Sequence, residues 1–370
     1  MVSLLREVLP LLAALYLVDC LTIVRRGHCL FSSCFGQDPR VRPGRLALAG
    51  LLPLDQAFAL SRRGVMATGD RLYLPPEQAT GAAPYRQASW TEVPYEETAG
   101  LSVAGRTIRF AGGRRLRLAT AAEARDVAAL VRELLALPPG EREGAAAAWS
   151  ARALDPAPMS ARLSAFEAAA SPVAALGLAL FCNLFLALPP LIYLGVPPPW
   201  LTGTLLAAAA LLWAGTAAAS AWVAQRLRRD GLIAGEGALL AIFLSLPSAV
   251  RAALHLGHDL LHGFDFLAAA AVLLPRQAFL PLLRAELHGA ACAASGGEGD
   301  SAAWKRLWAE RRRRLDGLLG HLELAADQVL APPPRRTAAA SGYCPFCDSE
   351  LLPGPALCAR CGTPLLKYPG

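Results

Sequence analysis

Long apolar blocks alternate along the chain with short mixed stretches, and the blocks set the frame. A spanning helix needs about 20 mostly apolar residues, because about 30 Å of hydrocarbon are crossed at about 1.5 Å per residue. Three blocks meet this requirement. The first lies within residues 1–25 and ends at Arg25 and Arg26, with no small-residue cleavage site after it, so it reads as an anchor and not a removed signal. The second, 173–194, opens on Ser171 and Pro172, which suit an N-cap and first turn, while Pro189 and Pro190 should kink or end it early. The third, 201–224, is rich in Ala and Gly and carries Trp200 and Trp222 at its two ends, where interface anchors belong.

Two further apolar runs, 237–250 and 266–274, are broken by charge or proline before they reach spanning length. They read as interfacial, re-entrant or buried helices, with a five-span arrangement as the alternative. Arginine placement is one-sided. Arg25, Arg26, Arg40, Arg42 and Arg45 follow the first block and Arg226, Arg228 and Arg229 the third, whereas the GVPPPW turn between the second and third has no charge. Short loops rich in arginine stay cytoplasmic. The expectation is an outer N-terminus, a cytoplasmic connector over 26–63, a hairpin out and back, and a cytoplasmic final third.

Between residues 64 and 137 the period shortens. GVMATGDRLYL, WTEVPYEE, LSVAGRTIRFAG and RRLRLAT read as strands with turns at Gly69-Asp70 and Gly112-Gly113. A helix follows over about 120–137, with Thr120 and Glu123 spaced as a capping box and Ala124, Val127, Val131, Leu134 and Leu135 on one face. Strands closed by one amphipathic helix resemble the pleckstrin-homology-like domains of bacterial membrane proteins. The resemblance is one of pattern and carries no functional residue with it. Residues 138–172, rich in Pro, Ala and Gly, read as a linker or loose helix.

Composition agrees with a membrane protein: of 370 residues 54% are hydrophobic and only 18% charged, against about 25% charged in soluble proteins. The net charge of +7 is carried by arginine, since Lys305 and Lys367 are the only lysines; with the Ala and Leu richness this suggests a bacterial, GC-rich source. Of nine cysteines, four form paired knuckles, which reads as metal binding in a reducing compartment.

Those knuckles are Cys344-Pro345-Phe346-Cys347 and Cys358-Ala359-Arg360-Cys361, ten residues apart. A C-x-x-C turn presents two thiolates from one tight loop, and two turns complete a tetrahedral zinc shell. Gly362 suits the positive φ that follows such a knuckle, and Asp348 holds that place in the first. Residues 343–370 resemble the zinc-ribbon family, following a linker over 331–342. The resemblance implies one structural zinc on Cys344, Cys347, Cys358 and Cys361, with no open position for catalysis. Unmetallated or redox-active thiol pairs are the alternative.

Weaker constellations remain. Within 232–330, expected to be helical and partly interfacial, RAALHLGHDLLHGFD places Arg251, His255, His258, Asp259, His262 and Asp265 on about a third of a helix circumference, and the His258/His262 and His255/Asp259 pairs could chelate an ion. The plainer reading is the polar stripe of an amphipathic helix. Trp304, Trp308, Leu315, Leu318 and Leu322 recur at helical spacing around Arg311 to Arg314, a run that could touch lipid headgroups or nucleic acid, or simply be a solvated face. His28, Cys29 and Cys34 match no justified metal spacing, and no Walker loop, dinucleotide glycine pattern or nucleophile elbow is present.

The sequence thus describes a mostly α, multi-pass protein of the bacterial inner membrane, with a small α+β cytoplasmic domain and a C-terminal zinc ribbon. The expected function is a non-enzymatic scaffold or regulatory interaction protein, with the lipid bilayer and proteins as partners. Two alternatives stay open. One is a metal-dependent membrane enzyme or transporter using His255, His258, Asp259 and His262; the other is a membrane-tethered nucleic-acid binder.

Overall fold

The computed structural model describes residues 2–19, 21–23, 27–32, 40–43, 46–48, 56–61, 65–75, 85–118, 121–194, 199–231, 260–295, 300–346, 348–352, 354, 357–359 and 365–368. It is mostly helical with small antiparallel sheets. Helix α1 (Val2–Asp19) leads into strands β1 (Leu21–Ile23), β2 (Gly27–Ser32), β3 (Arg40–Pro43), β4 (Leu46–Leu48) and β5 (Gln56–Ser61). These pair as β1-β4 and β3-β2-β5. The stretch 26–63, expected as a plain connector, therefore contains sheet.

The α+β module follows the expected pattern closely. Strands β6 (Met66–Ala67), β7 (Arg71–Leu74) and β8 (Thr91–Pro94) form one sheet, and β9 (Ser102–Ala104), β10 (Thr107–Arg109) and β11 (Arg115–Arg117) another; a single turn of helix, α2 (Tyr95–Thr98), lies between. Helix α3 (Ala121–Ala136) closes the module, while the expected cap Thr120 lies outside the described residues. Successive strand residues point to opposite faces, and both faces of the β6-β7-β8 sheet are covered. Leu72, Leu74 and Val93 join Ile108, Leu116, Val127, Val131 and Leu134 in one core. Tyr73, Trp90 and Met66 face the other way, into a second core built by the C-terminal helices.

Helix α4 (Pro139–Ala153) and helix α5 (Pro156–Phe181) occupy the stretch expected as a linker or loose helix. The N-cap is Asp155, whose side chain accepts from the Ala157 N–H, with Pro156 in the first turn. Ser171 and Pro172 do not start the helix; Pro172 lies inside it. The same helix runs on through a π-turn (Cys182–Ala187) into α6 (Leu188–Leu194), so Pro189 and Pro190 do not end it. Proline has no N–H to donate, and the ladder adapts upstream, where the Leu188 N–H bonds the Asn183 carbonyl five residues back. Helix α7 (Pro199–Arg229) returns beside α5.

Among the described residues two helices are long and apolar enough to cross a membrane, Pro156–Pro190 and Trp200–Arg229, and their most apolar stretches are only 22% and 28% buried. The core helix of a soluble protein would be mostly covered. Instead Leu186, Tyr193, Trp200, Leu211 and Trp222 stand exposed, as do Leu11, Leu15 and Val18 of α1. Helix α1 lies against the far half of the hairpin, Leu9 beside Leu188 and Ile192, and the Tyr16 ring 5.2 Å from that of Phe185.

Beyond the hairpin, α8 (Phe266–Leu273), α9 (Arg276–Ser295), α10 (Ala302–His321) and α11 (Ala326–Leu330) make a helical layer. Residues 237–250 lie outside the described set, but α8 falls within the 266–274 run and is buried over Phe266–Ala270. Trp304, Trp308, Leu315 and Leu318 are the buried stripe of α10, as their spacing predicts. The tail forms a three-stranded sheet, β12 (Gly342–Tyr343) between β13 (Glu350–Leu351) and β14 (Leu366–Lys367), one strand more than a simple two-stranded ribbon.

Candidate functional site

Three regions distant in sequence converge on α9. Gly289 leaves a notch there: a Cβ at this position would fall 1.9 Å from Cε1 of Tyr85, so only glycine lets the ring lie against the helix. The Tyr85 hydroxyl reaches the Ala285 carbonyl oxygen and Glu286 Oε2, each at 3.0 Å. Its ring meets Trp308 on one side and Phe346 on the other, both at 5.3 Å between centroids. Trp308 continues to Trp304 at 5.6 Å, and Trp304 to Tyr73 and Trp90. Aromatic contact thus runs unbroken from the sheet of the α+β module to the first cysteine knuckle. Tilted pairs of this kind add about 0.5–1.5 kcal/mol each beyond their buried area.

Around this stack lie the buried charges. Arg311 of α10 donates from Nε to Glu286 Oε1 (2.6 Å), from Nη1 to Asp265 Oδ2 (2.9 Å) and from Nη2 to Asp265 Oδ1 (3.3 Å). Burial works against its charge, yet Asp265 and Glu286 outweigh that and hold the guanidinium above its usual pKa. Asp265 also caps α8 through the Leu267 N–H, and its own N–H bonds the Ala153 carbonyl at the end of α4. Arg284, one turn from His288 on α9, donates from Nε to the Val329 carbonyl (2.8 Å) and from Nη1 to Asp348 Oδ1 (2.9 Å). His288 is pushed below its usual pKa by burial and by Arg284 and Arg312.

The Asp348 contact keys the first knuckle into this layer. Asp348 has φ of 52°, the left-handed value anticipated for the residue after the knuckle, and its N–H bonds the Cys344 carbonyl at 3.0 Å. Cys344 donates its own N–H to the Ser349 carbonyl at 3.0 Å. Cys344 and Cys358 are both buried, while Cys347 and Cys361 lie outside the described residues. The placed half of the thiolate set fits a zinc knuckle: a tight turn, a buried sulfur donor and a positive φ after it.

Of the histidine stripe, His255, His258 and Asp259 lie outside the described residues. His262 is placed in a turn ahead of α8, its Nε2 3.8 Å from Asp126 Oδ2 of α3, and its carbonyl accepts from Arg162. Among the described residues no three His, Cys, Asp or Glu side chains gather as a metal site. Asp265 belongs to Arg311. The arginine run is likewise engaged: Arg312 pairs with Asp316, and Arg313 and Arg314 with Glu310.

Neither protein-family models, curated proteins nor solved structures give a match to this chain. The functional reading rests on its geometry. No sequence motif singles out Tyr85, Arg284, Glu286 or Gly289. The available signal is the pair Arg284 and Glu286 inside the otherwise apolar run 278–287, where a buried charge must have a partner.

Proposed function

We propose that the chain is a membrane-anchored cytoplasmic scaffold of the bacterial inner membrane, whose zinc-closed ribbon offers a protein-binding face. One observation carries this reading. The ribbon is keyed to the body on one side by Phe346 and Asp348, yet Leu352, Leu357 and Leu366 stand 58%, 53% and 36% exposed on it. Large apolar groups held out on a docked, small sheet are what a partner would cover.

Anchoring rests on the poorly covered hairpin and on α1. The N-terminal half of α1 lies beside the far end of the hairpin, which supports an N-terminus and hairpin tip on one side and the body, next to Arg226, Arg228 and Arg229, on the other. Zinc on Cys344, Cys347, Cys358 and Cys361 would fold a ribbon too small to be held by its own core. The pleckstrin-homology-like reading of 64–137 is supported by two small sheets closed by one helix.

The test is site-specific photo-crosslinking in native membranes, with the probe at Leu357 or, as control, at the exposed Glu141 of α4. A discrete adduct from Leu357 alone, lost when Leu352→Asp is added, is the expected result. Equal labelling from both positions, or none from Leu357, would remove the ribbon face as a docking surface.

A further inference from the structure

The sheet β9-β10-β11 has one face in the core of the α+β module and one in solvent. Val103, Ile108 and Leu116 make the inner face. The register fixes the outer one: Ser102 lies opposite Arg109 and Arg109 opposite Arg115, while Ala104 lies opposite Thr107 and Thr107 opposite Arg117. This face therefore carries three exposed arginines, Arg109, Arg115 and Arg117, and no acid. Among the described residues none of the three forms an ion pair or a side-chain hydrogen bond. Arg114 differs, since it is spent on the Glu92 carbonyl at 2.6 Å and on Glu97 at 3.5 Å.

Strand β11 is also the edge of its sheet. The Phe110 N–H bonds the Arg114 carbonyl and the Leu118 N–H the Arg106 carbonyl, each at 2.9 Å. Hydrogen-bonded and open pairs alternate along an antiparallel ladder. Leu116 therefore turns its N–H and C=O toward β10, and Arg115 and Arg117 turn theirs to the open side. Arg109 and Arg115 fall on an open pair, where side chains lie closest, and like charges directly across a ladder work against the sheet.

We propose that β11 is a docking edge, separate from the ribbon face, for an extended protein segment with acidic residues at alternate positions, added antiparallel as a further strand. The segment's residues opposite Arg115 and Arg117 then project on the arginine face, with Cβ atoms about 4.5–5.5 Å away. Two carboxylates spaced i, i+2 meet two guanidinium forks, while the backbone groups of the same residues complete the ladder. The residue between them turns to the other face, across from the buried Leu116, where an apolar side chain fits. Arg109, pressing on Arg115 from the central strand, favours an anion beyond the edge.

Other occupants use less of what the edge displays. A second copy of the chain, paired through its own β11, would set arginine against arginine. Phosphates of a nucleic acid or a lipid would meet the guanidinium groups but leave the outward N–H groups of the strand without partners. The face also offers no aromatic ring on which a base could stack. Charged edges do guard sheets against unwanted pairing. That accounts for Arg115 and Arg117, but not for Arg109 on the central strand.

The experiment is isothermal titration of the full chain in detergent with the capped peptide GEVEVEG, with the same peptide N-methylated at its glutamates, and with the lysine counterpart GKVKVKG. The expected result is a Kd of about 1 mM or tighter for the first and no binding of the lysine form. The methylated form keeps its charge but loses its ladder donors, and should bind at least about tenfold more weakly. Arg115→Gln/Arg117→Gln should weaken the acidic peptide by about tenfold, with an unchanged melting curve showing that the variant folds. Hydrogen exchange over 114–118 should slow when the peptide is bound. Equal affinity for the methylated form, no binding of GEVEVEG, or unchanged affinity in the folded double variant would each overturn the proposal. Displacement of the peptide by a single-stranded oligonucleotide or by acidic vesicles that bind more tightly would assign the face to phosphate and overturn it too. Should the variant fail to fold, the comparison of parent and methylated peptides on the unaltered chain decides alone.

Discussion

The two cores of the body hold together by different means. The core of the α+β module is closed and apolar: Leu72, Val93, Ile108 and Leu116 from the sheets meet Val127, Val131 and Leu134 from α3, all between residues 65 and 146. The core of the helical layer borrows. It takes Tyr73, Tyr85 and Trp90 from the module before the hairpin, Met159 from the long helix and Phe346 from the ribbon. It also encloses ions, Arg311 with Asp265 and Glu286, and Arg284 with Asp348. The first is assembled by local sequence; the second exists only when four distant pieces arrive together. Hydrophobic burial is non-directional and tolerates exchange, whereas a buried charge tolerates no missing partner.

The sharpest way to separate the two is to remove the metal expected in the ribbon. One zinc per chain is expected on detergent-purified protein, lost in Cys344→Ser/Cys347→Ser, with Phe346 released from Tyr85. Structural zinc contributes on the order of 10 kcal/mol to domains of this size, so the ribbon should lose all amide protection while β10 and β11 keep theirs. Zinc that survives the double variant, or equal loss of protection in both regions, would contradict the division. Two metals per chain, one of them lost in His258→Ala/His262→Ala, would instead favour the membrane metal-enzyme reading.

Next in size is Arg311→Met. Leaving Asp265 and Glu286 buried without their cation costs about 3–5 kcal/mol. Hydrogen exchange should rise across α8, α9 and α10 and stay low in the module. Gly289→Ala should be milder, about 1–3 kcal/mol for forcing the Tyr85 ring off α9, and visible as a changed near-ultraviolet aromatic signal with far-ultraviolet helicity retained. An unchanged aromatic signal would show that the notch does not hold the ring.

The smallest effect is expected at Asp126, where the two cores face each other. Its pKa is raised by burial, so its contribution is fully present below the unfolded value of about 3.9 and fades as pH rises through the higher folded value. Asp126→Asn should therefore melt above the unaltered chain at pH 8 by a small margin that shrinks toward pH 3. A margin that grows on acidification would reverse the sign.

What could be seen in the sequence follows the same division. Strands and α3 of the module announce themselves because each turn is written locally, Gly69-Asp70 and Gly112-Gly113 among them. The stripe of α10 does so by its period. Arg311, by contrast, reads as one of four solvated arginines, and nothing nearby says that its partner Asp265 lies 46 positions upstream. Tyr73 was legible as strand but not as the residue facing the other core. Pro172 misleads for a related reason: proline is a common first-turn residue, and only packing keeps the helix continuous across it. The knuckle cysteines needed no packing to be noticed, but Arg284, which holds Asp348, did.

The unbroken helix from Pro156 to Leu194 has a mechanical corollary. At about 1.5 Å per residue it extends roughly 60 Å, about twice the hydrocarbon thickness. Leu188 and Ile192 sit at one end against α1, and Met159 at the other is wholly enclosed in the helical layer. A rod seated at both ends lets neither end pivot alone. Were the hairpin to tilt within a bilayer to fit its thickness, the body would lean with it and carry the ribbon's exposed leucines along.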